Sequence, residues 1–216
     1  MYRLVIFDLD GTLLNTLDDL AATGNHTLKM LGYPTHPVEA YRHFVGNGIP
    51  NLVHRMLPEG HTDEQHEQCY KLYQEHYSKH KTDLTVPYEG IVELVKKLDS
   101  LGIVCCVNTN KAHEFARELV QRFFGDSIKA VIGQGSGFPL KPSPDAALEF
   151  CRRYDIPKEN ALYVGDSNVD MQTAAAAGID ACAVLWGFRD REELEAYAPE
   201  HIAENVIQLK RIIAYL

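Results

Sequence analysis

The chain has no apolar run long enough to span a bilayer, no cluster of Lys and Arg, and no C-x-x-C pair. The first absence argues against a membrane-spanning helix. The second argues against a nucleic-acid or anionic-membrane surface, because phosphate backbones are bound through clustered cations. Charge balance agrees: 30 Asp and Glu against 21 Lys and Arg leave a formal net charge of -9. The cysteines number five, an odd count, and two of them are adjacent in the apolar stretch IVCCV. That usage points to buried free thiols rather than disulfides, and so to a reducing compartment. The stretch MYRLVIFD meets an acid after too short an apolar run for a signal peptide, so a cytoplasmic location is expected.

What is present is ordinary globular material. With 216 residues, 45% of them hydrophobic, the chain can bury one large core or a core with an insertion. From residue 88 onward short apolar runs alternate with helical patterns: IVCCV at 103–107, KAVI at 129–132, ALYV at 161–164 and ACAVL at 181–185. Runs that are apolar throughout indicate a parallel sheet covered on both faces. Together with RLVIF they predict about five strands.

Between them, YEGIVELVKKLDSLG repeats apolar residues at helical spacing and ends on Gly102, where a left-handed cap belongs. KPSPDAALEFCRRYD offers Ser143 as N-cap and Pro144 in the first turn. NVDMQTAAAAG reads as a short helix stopped by Gly178. Residues 15–82 carry helical patterns only. The expected architecture is α/β, a Rossmann-like parallel sheet built from 1–14 and 83–216, with residues 15–82 as an all-helical cap insertion.

The insertion holds eight of the ten histidines, including His61 with His66 and His76 with His80. The second pair has i,i+4 spacing, but its helix face also carries Cys69, Leu72 and Tyr73, so packing and solvated helix surface are expected there rather than zinc. GQGSG at 133–137 lacks the spacing of a dinucleotide fingerprint and reads as a loop.

In an open parallel sheet, ligands bind beyond the carboxyl ends of the strands. Asp8 and Asp10 follow RLVIF; Asn108, Thr109 and Asn110 follow IVCCV; Lys141 lies in the loop after KAVI; Asp166, Ser167 and Asp170 follow ALYV. Four carboxylates gathered at one sheet edge repel one another unless a hard divalent cation sits among them. Mg2+ suits such acids and also accepts phosphate oxygens, while a hydroxyl and an ammonium suit the remaining oxygens. Phosphoryl transfer is the chemistry this set favours.

In that order, DLDGTL, VNTN, the lysine of LKPSPDA and VGDSNVD resemble the four motifs of the haloacid dehalogenase superfamily, over nearly the whole chain. The helical insertion resembles a type 1 cap. TNK followed by HEFA, with GNG at 46–48, is similar to the phosphoglycolate phosphatase branch. The resemblance implies that Asp8 is a nucleophile forming an aspartyl phosphate and that Asp10 is the general acid and base. It implies that Thr109 and Lys141, with Asn110 beside them, hold the phosphoryl group. Mg2+ would be bound by Asp8, the Asp10 carbonyl and Asp166, with Asp170 orienting Lys141 or a metal-bound water.

The second acid of D-x-D favours phosphate esters over haloacids, because an ester leaving group needs a proton. Specificity is expected from the cap loop at Gly46, Asn47 and Gly48. Asn15 stands where the family commonly has an acid, near the cap hinge. The expected activity is Mg2+-dependent hydrolysis of small phosphomonoesters, phosphoglycolate among them, by a monomer or homodimer acting on a small phosphorylated metabolite. Alternatives are a sugar phosphomutase of the β-phosphoglucomutase kind, a non-catalytic sensor of phosphorylated metabolites, and a phosphonate hydrolase using Lys29.

Overall fold

The computed structural model describes residues 2–214. In chain order these form β1 (Leu4–Phe7), β2 (Leu14–Asn15), α1 (Leu17–Met30), α2 (Tyr41–Phe44), α3 (Gly48–Met56), α4 (Asp63–His80) and β3 (Val86–Pro87). There follow α5 (Ile91–Ser100), β4 (Val104–Ala112), α6 (His113–Phe124), β5 (Ala130–Gln134), α7 (Asp145–Tyr154) and β6 (Ala161–Gly165). The chain then runs through α8 (Asn168–Ala177), β7 (Asp180–Val184), α9 (Arg191–Glu195), β8 (His201–Ala203) and α10 (Val206–Ala214). Packing divides it into two compact units, Met1–Leu14 with Pro87–Leu216, and Asn15–Val86.

The first unit is built on a six-stranded sheet of order β5-β4-β1-β6-β7-β8, with its strand pairs parallel. Successive strand residues point to opposite faces, so LVIF buries both. Val5 and Phe7 pack with Leu94, Leu98, Leu119 and Leu209 of α5, α6 and α10. Leu4 and Ile6 pack with Ala146, Phe150, Met171 and Ala174 of α7 and α8. Fully burying residues of this size contributes about 1.5–3 kcal/mol each, which is why an all-apolar run settles in the middle of the sheet.

Three local expectations change. The sheet has a sixth strand, β8, whose three residues are too few to register as an apolar run. Helix α7 takes Pro144 rather than Ser143 as its N-cap, and the Ser143 hydroxyl donates to the Asp145 carboxylate at 2.6 Å. The stretch GQGSG begins inside β5, which runs to Gln134, and turns only at Gly135 and Gly137, both at positive φ. The other helix stops match, with Gly102 and Gly178 in the left-handed region behind α5 and α8.

The second unit is helical, α1 to α4. The Asp19 carboxylate, buried in α1, accepts hydrogen bonds from the Leu84 and Thr85 amides at 2.9 and 2.8 Å and so fixes the returning segment. Helix α4 starts with a reciprocal capping box between Thr62 and Gln65. Its His76 ring is stacked between His26 and His80, with centroids 4.1 and 4.3 Å away. The GNG turn enters α3 with Gly46 and Gly48 at φ of 124° and 81°, and the Asn47 carbonyl accepts from Asn51 Nδ2 at 2.8 Å. Lys29 is exposed in the last turn of α1.

Candidate active site

The register of the sheet decides which strand tips meet. Phe7 pairs with Val107 on one side and with Val164 on the other, so Asp8 emerges beside Asn108 and Gly165. From β1 the chain moves outward through β4 and β5 before returning to β6 on the other side, which places β1 where the strand order reverses. Lys141 reaches the same tip from the loop after β5. Its backbone is tied to the next strand, since Lys141 N donates to Asn110 Oδ1 at 2.9 Å and Asn110 Nδ2 donates back to the Lys141 carbonyl at 3.3 Å.

Here the expected residues converge. Asp8, Asp166 and Asp170 are buried, and each offers a carboxylate oxygen within 4.8 Å of the others. Lys141 Nζ lies 2.9 Å from Asp8 Oδ1 and donates to Asp170 Oδ1 at 2.7 Å. Three carboxylates against one ammonium leave the cluster rich in negative charge. Burial, with Asp170 and Asp166 adding to it, pushes the Asp8 carboxyl up to about 8 against the pull of Lys141. Burial and Asp170 push Asp166 up to about 7. Burial works against the Lys141 ammonium, but Asp170 and Asp8 hold it well above an ordinary lysine.

Buried carboxyls raised in this way favour either protons or a cation among them. The donor set is oxygen only and compact, which fits Mg2+ and not a thiolate- or imidazole-preferring metal. Asp166 is also pre-aimed: Oδ1 accepts from the Thr12 hydroxyl and Oδ2 from the Phe188 amide, both at 2.8 Å. Gly11 makes this approach possible. It sits at φ 87°, and a Cβ there would fall 2.2 Å from Asp166 Oδ2.

The other expected residues fall into different places. The Thr109 hydroxyl oxygen, buried, accepts from the Lys111 amide at 3.2 Å, which leaves its proton to donate elsewhere. The Asn110 side chain spans the Lys141 backbone, as above, so it supports the lysine. Asp170 Oδ2 accepts from the Ser167 hydroxyl at 2.6 Å while Oδ1 accepts from the Lys141 ammonium at 2.7 Å. Gly46, Asn47 and Gly48 belong to the helical unit.

Sequence reasoning passed over four contributors. Lys111 is buried and donates to both oxygens of Asp10, at 3.0 and 3.2 Å. Thr12 and Phe188 hold Asp166, and Trp186 Nε1 donates to the Thr12 carbonyl at 3.0 Å. Lys111 was visible as the cation directly after Thr109 and Asn110. The loop 186–188 acts through a backbone amide and an indole, and neither announces itself in sequence.

A D-x-D turn after the first strand of a parallel sheet, with Asp8, Asp166 and Asp170 gathered around Lys141 and Asp10 paired with Lys111, is a setting shared with hydrolases built on an open α/β sheet. The haloacid dehalogenase-like hydrolase profile matches residues 5–184, and the chain belongs to that family. It is an enzyme of the phosphatase type. It is 34% identical to phosphoglycolate phosphatase of Pseudomonas putida over 94% of this chain and 77% of that one. It is 29% identical to phosphoglycolate phosphatase of Vibrio parahaemolyticus, over 98% and 96%. A crystal structure from Lactobacillus delbrueckii subsp. bulgaricus superposes with a TM-score of 0.93 at 29% identity, covering 98% of each chain.

Proposed function

We propose that this protein hydrolyses small phosphomonoesters with Mg2+ through a phosphoryl group carried on Asp8. The observation that carries the reading is the trio Asp8, Asp166 and Asp170 around Lys141 at the tip of β1. Mg2+ would be held by Asp8, Asp166 and the Asp10 carbonyl, with Asp170 behind them. When bound, it draws charge off the phosphoryl oxygens.

The residues of the chain divide the chemistry as follows. Lys141 and the Thr109 hydroxyl grip oxygens of the phosphoryl group and hold it in line with Asp8. An Asp8 carboxylate oxygen forms a bond to phosphorus as the ester P–O bond breaks, and the Asp10 carboxyl gives its proton to the leaving oxygen. Asp10 then takes a proton from water, whose oxygen attacks the phosphorus. The bond to Asp8 breaks, phosphate leaves, and both carboxyls return to their starting states.

Phosphoglycolate is the first substrate to test, because relatives at about one-third identity bear its phosphatase name. Residues 15–82 would act as the cap, with Gly46, Asn47 and Gly48 contributing to specificity. Work in the cytoplasm accords with five free cysteines, four of them buried. The test is phosphate release from p-nitrophenyl phosphate and from a panel of metabolite phosphates. Activity that requires Mg2+, stops with EDTA and disappears in Asp8→Ala supports the reading. Metal-independent turnover, or turnover by Asp8→Ala, contradicts it.

A further inference from the structure

The catalytic assignment accounts for Lys141 and leaves the second buried ammonium, Lys111, without a task in the reaction. Lys111 is 5% exposed, and its Nζ embraces both oxygens of Asp10. As long as that pair is closed, the carboxyl that must serve the leaving oxygen is held by a cation. Lys141 already serves Asp8 and Asp170, and a second buried ammonium, set against Asp10, suits a further anion that arrives with the substrate.

The root of Lys111 is fixed. Its amide donates to Thr109 Oγ1, and β5 presses so closely that a Cβ at Gly133 would fall 2.7 Å from the Lys111 carbonyl oxygen and 2.9 Å from His113 Cα. Only the flexible four-carbon stem is left to move the charge, over a short arc around the Asp10 position.

Geometry sets the length of the substrate. Asp10 must come within hydrogen-bond reach of the leaving oxygen, about 2.7 Å, to protonate it. Lys111 Nζ is 3.0 Å from Asp10 Oδ1, so the ammonium lies at most about 6 Å from that oxygen. A carboxylate on the carbon next to the ester oxygen places its own oxygens roughly 3 Å from it, which brings them within hydrogen-bond range of Nζ. A neutral alkyl group there would leave the ammonium with Asp10.

We propose that Lys111 is the specificity residue for a carboxylate borne on the carbon adjacent to the phosphate ester: on binding, its ammonium passes from Asp10 to the substrate carboxylate, which releases the Asp10 carboxyl for the leaving oxygen. This inference rests on the phosphatase reading above. It selects short phosphorylated 2-hydroxy acids within the broad class of small phosphomonoesters, and it places Lys111 in the substrate-binding machinery.

The test compares phosphoglycolate with ethyl phosphate, two alkyl esters of similar size that differ in the carboxylate. In the wild type, kcat/KM favours phosphoglycolate. In Lys111→Met the ratio of the two falls by about tenfold or more, the loss of one charge-assisted hydrogen bond, and the change lies mainly in the KM for phosphoglycolate. Lys111→Arg, which keeps the charge, retains most of the ratio. A ratio that stays the same in Lys111→Met, with both esters slowed alike, overturns the inference and leaves Lys111 acting through Asp10 alone. Should Lys111→Met not fold, Lys111→Gln replaces it under the same criterion. A wild type that hydrolyses neither ester with Mg2+ present sinks the phosphatase reading itself.

Discussion

Lys141 and Asp170 form a buried ion pair, Nζ to Oδ1 at 2.7 Å, and the same ammonium lies 2.9 Å from Asp8. One lysine therefore sets the distance between Asp8, just past β1, and Asp170 on α8. Removing it takes from Asp8 and Asp170 the ammonium they share. Lys141→Ala is expected to lose activity by about a thousandfold or more, since both charge stabilisation and positioning go together. Asp170→Asn, which keeps shape and loses charge, is expected to lose less. Steady-state kinetics on p-nitrophenyl phosphate measure both.

Asp166 and Asp170 differ in what they touch, and their variants should differ accordingly. Asp170 has one oxygen on Lys141 and the other on Ser167, whereas Asp166 accepts from Thr12 and Phe188. Asp166→Ala is expected to raise the Mg2+ concentration for half-maximal activity by about a hundredfold, and Asp170→Ala by about tenfold. Mg2+ titrations of activity and of binding heat report the order.

Gly11→Ala tests the close approach of the backbone to Asp166. The new Cβ would sit 2.2 Å from Asp166 Oδ2, at a φ of 87° that side chains avoid. The expected result is about 1–3 kcal/mol of lost stability by urea denaturation, together with weaker Mg2+ binding as Asp166 is pushed aside. An Ala variant that binds Mg2+ as tightly as the wild type would contradict the proposal that Asp166 is a metal ligand.

The raised carboxyls predict how metal and pH trade off. In the metal-free protein burial pushes the Asp8 carboxyl up to about 8 and that of Asp166 up to about 7, above the usual carboxylate range they return to when unfolded. The folded state therefore holds more protons than the unfolded one, and metal-free stability falls as pH rises through that interval. Mg2+, bound as proposed, would take the place of those protons. Its stabilising effect, read as the shift in Tm on adding a fixed concentration, should be larger at about pH 8.5 than at about pH 6. A shift that shrinks with rising pH would contradict the assignment of these acids to the metal.

Much of this was legible before any coordinates. Asp8, Asp10, Lys141, Asp166 and Asp170 stand directly after or just beyond apolar runs, so the rule that ligands gather at the carboxyl ends of parallel strands was enough to group them. Lys111 was harder to read because β4 breaks register between Asn108 and Ala112. Regular alternation no longer says which way Thr109, Asn110 and Lys111 point there, and the break lets neighbours converge. The brace on Asp166 from Phe188 is a main-chain amide 22 residues away, which no side-chain pattern encodes. Strand β8 was missed because HIA is too short to show a period.

The central claim is that Asp8 carries the phosphoryl group and that Asp10 serves both half-reactions. Asp10→Asn should keep the fold and the metal but lose the base for the second step. With p-nitrophenyl phosphate, whose leaving group hardly needs a proton, phosphorylation still proceeds while hydrolysis of the intermediate slows by about a hundredfold or more. Rapid-quench mass spectrometry of Asp10→Asn should then find one added phosphoryl group on the peptide containing Asp8. Turnover close to wild type, with no phosphoryl group trapped on that peptide, would contradict the account.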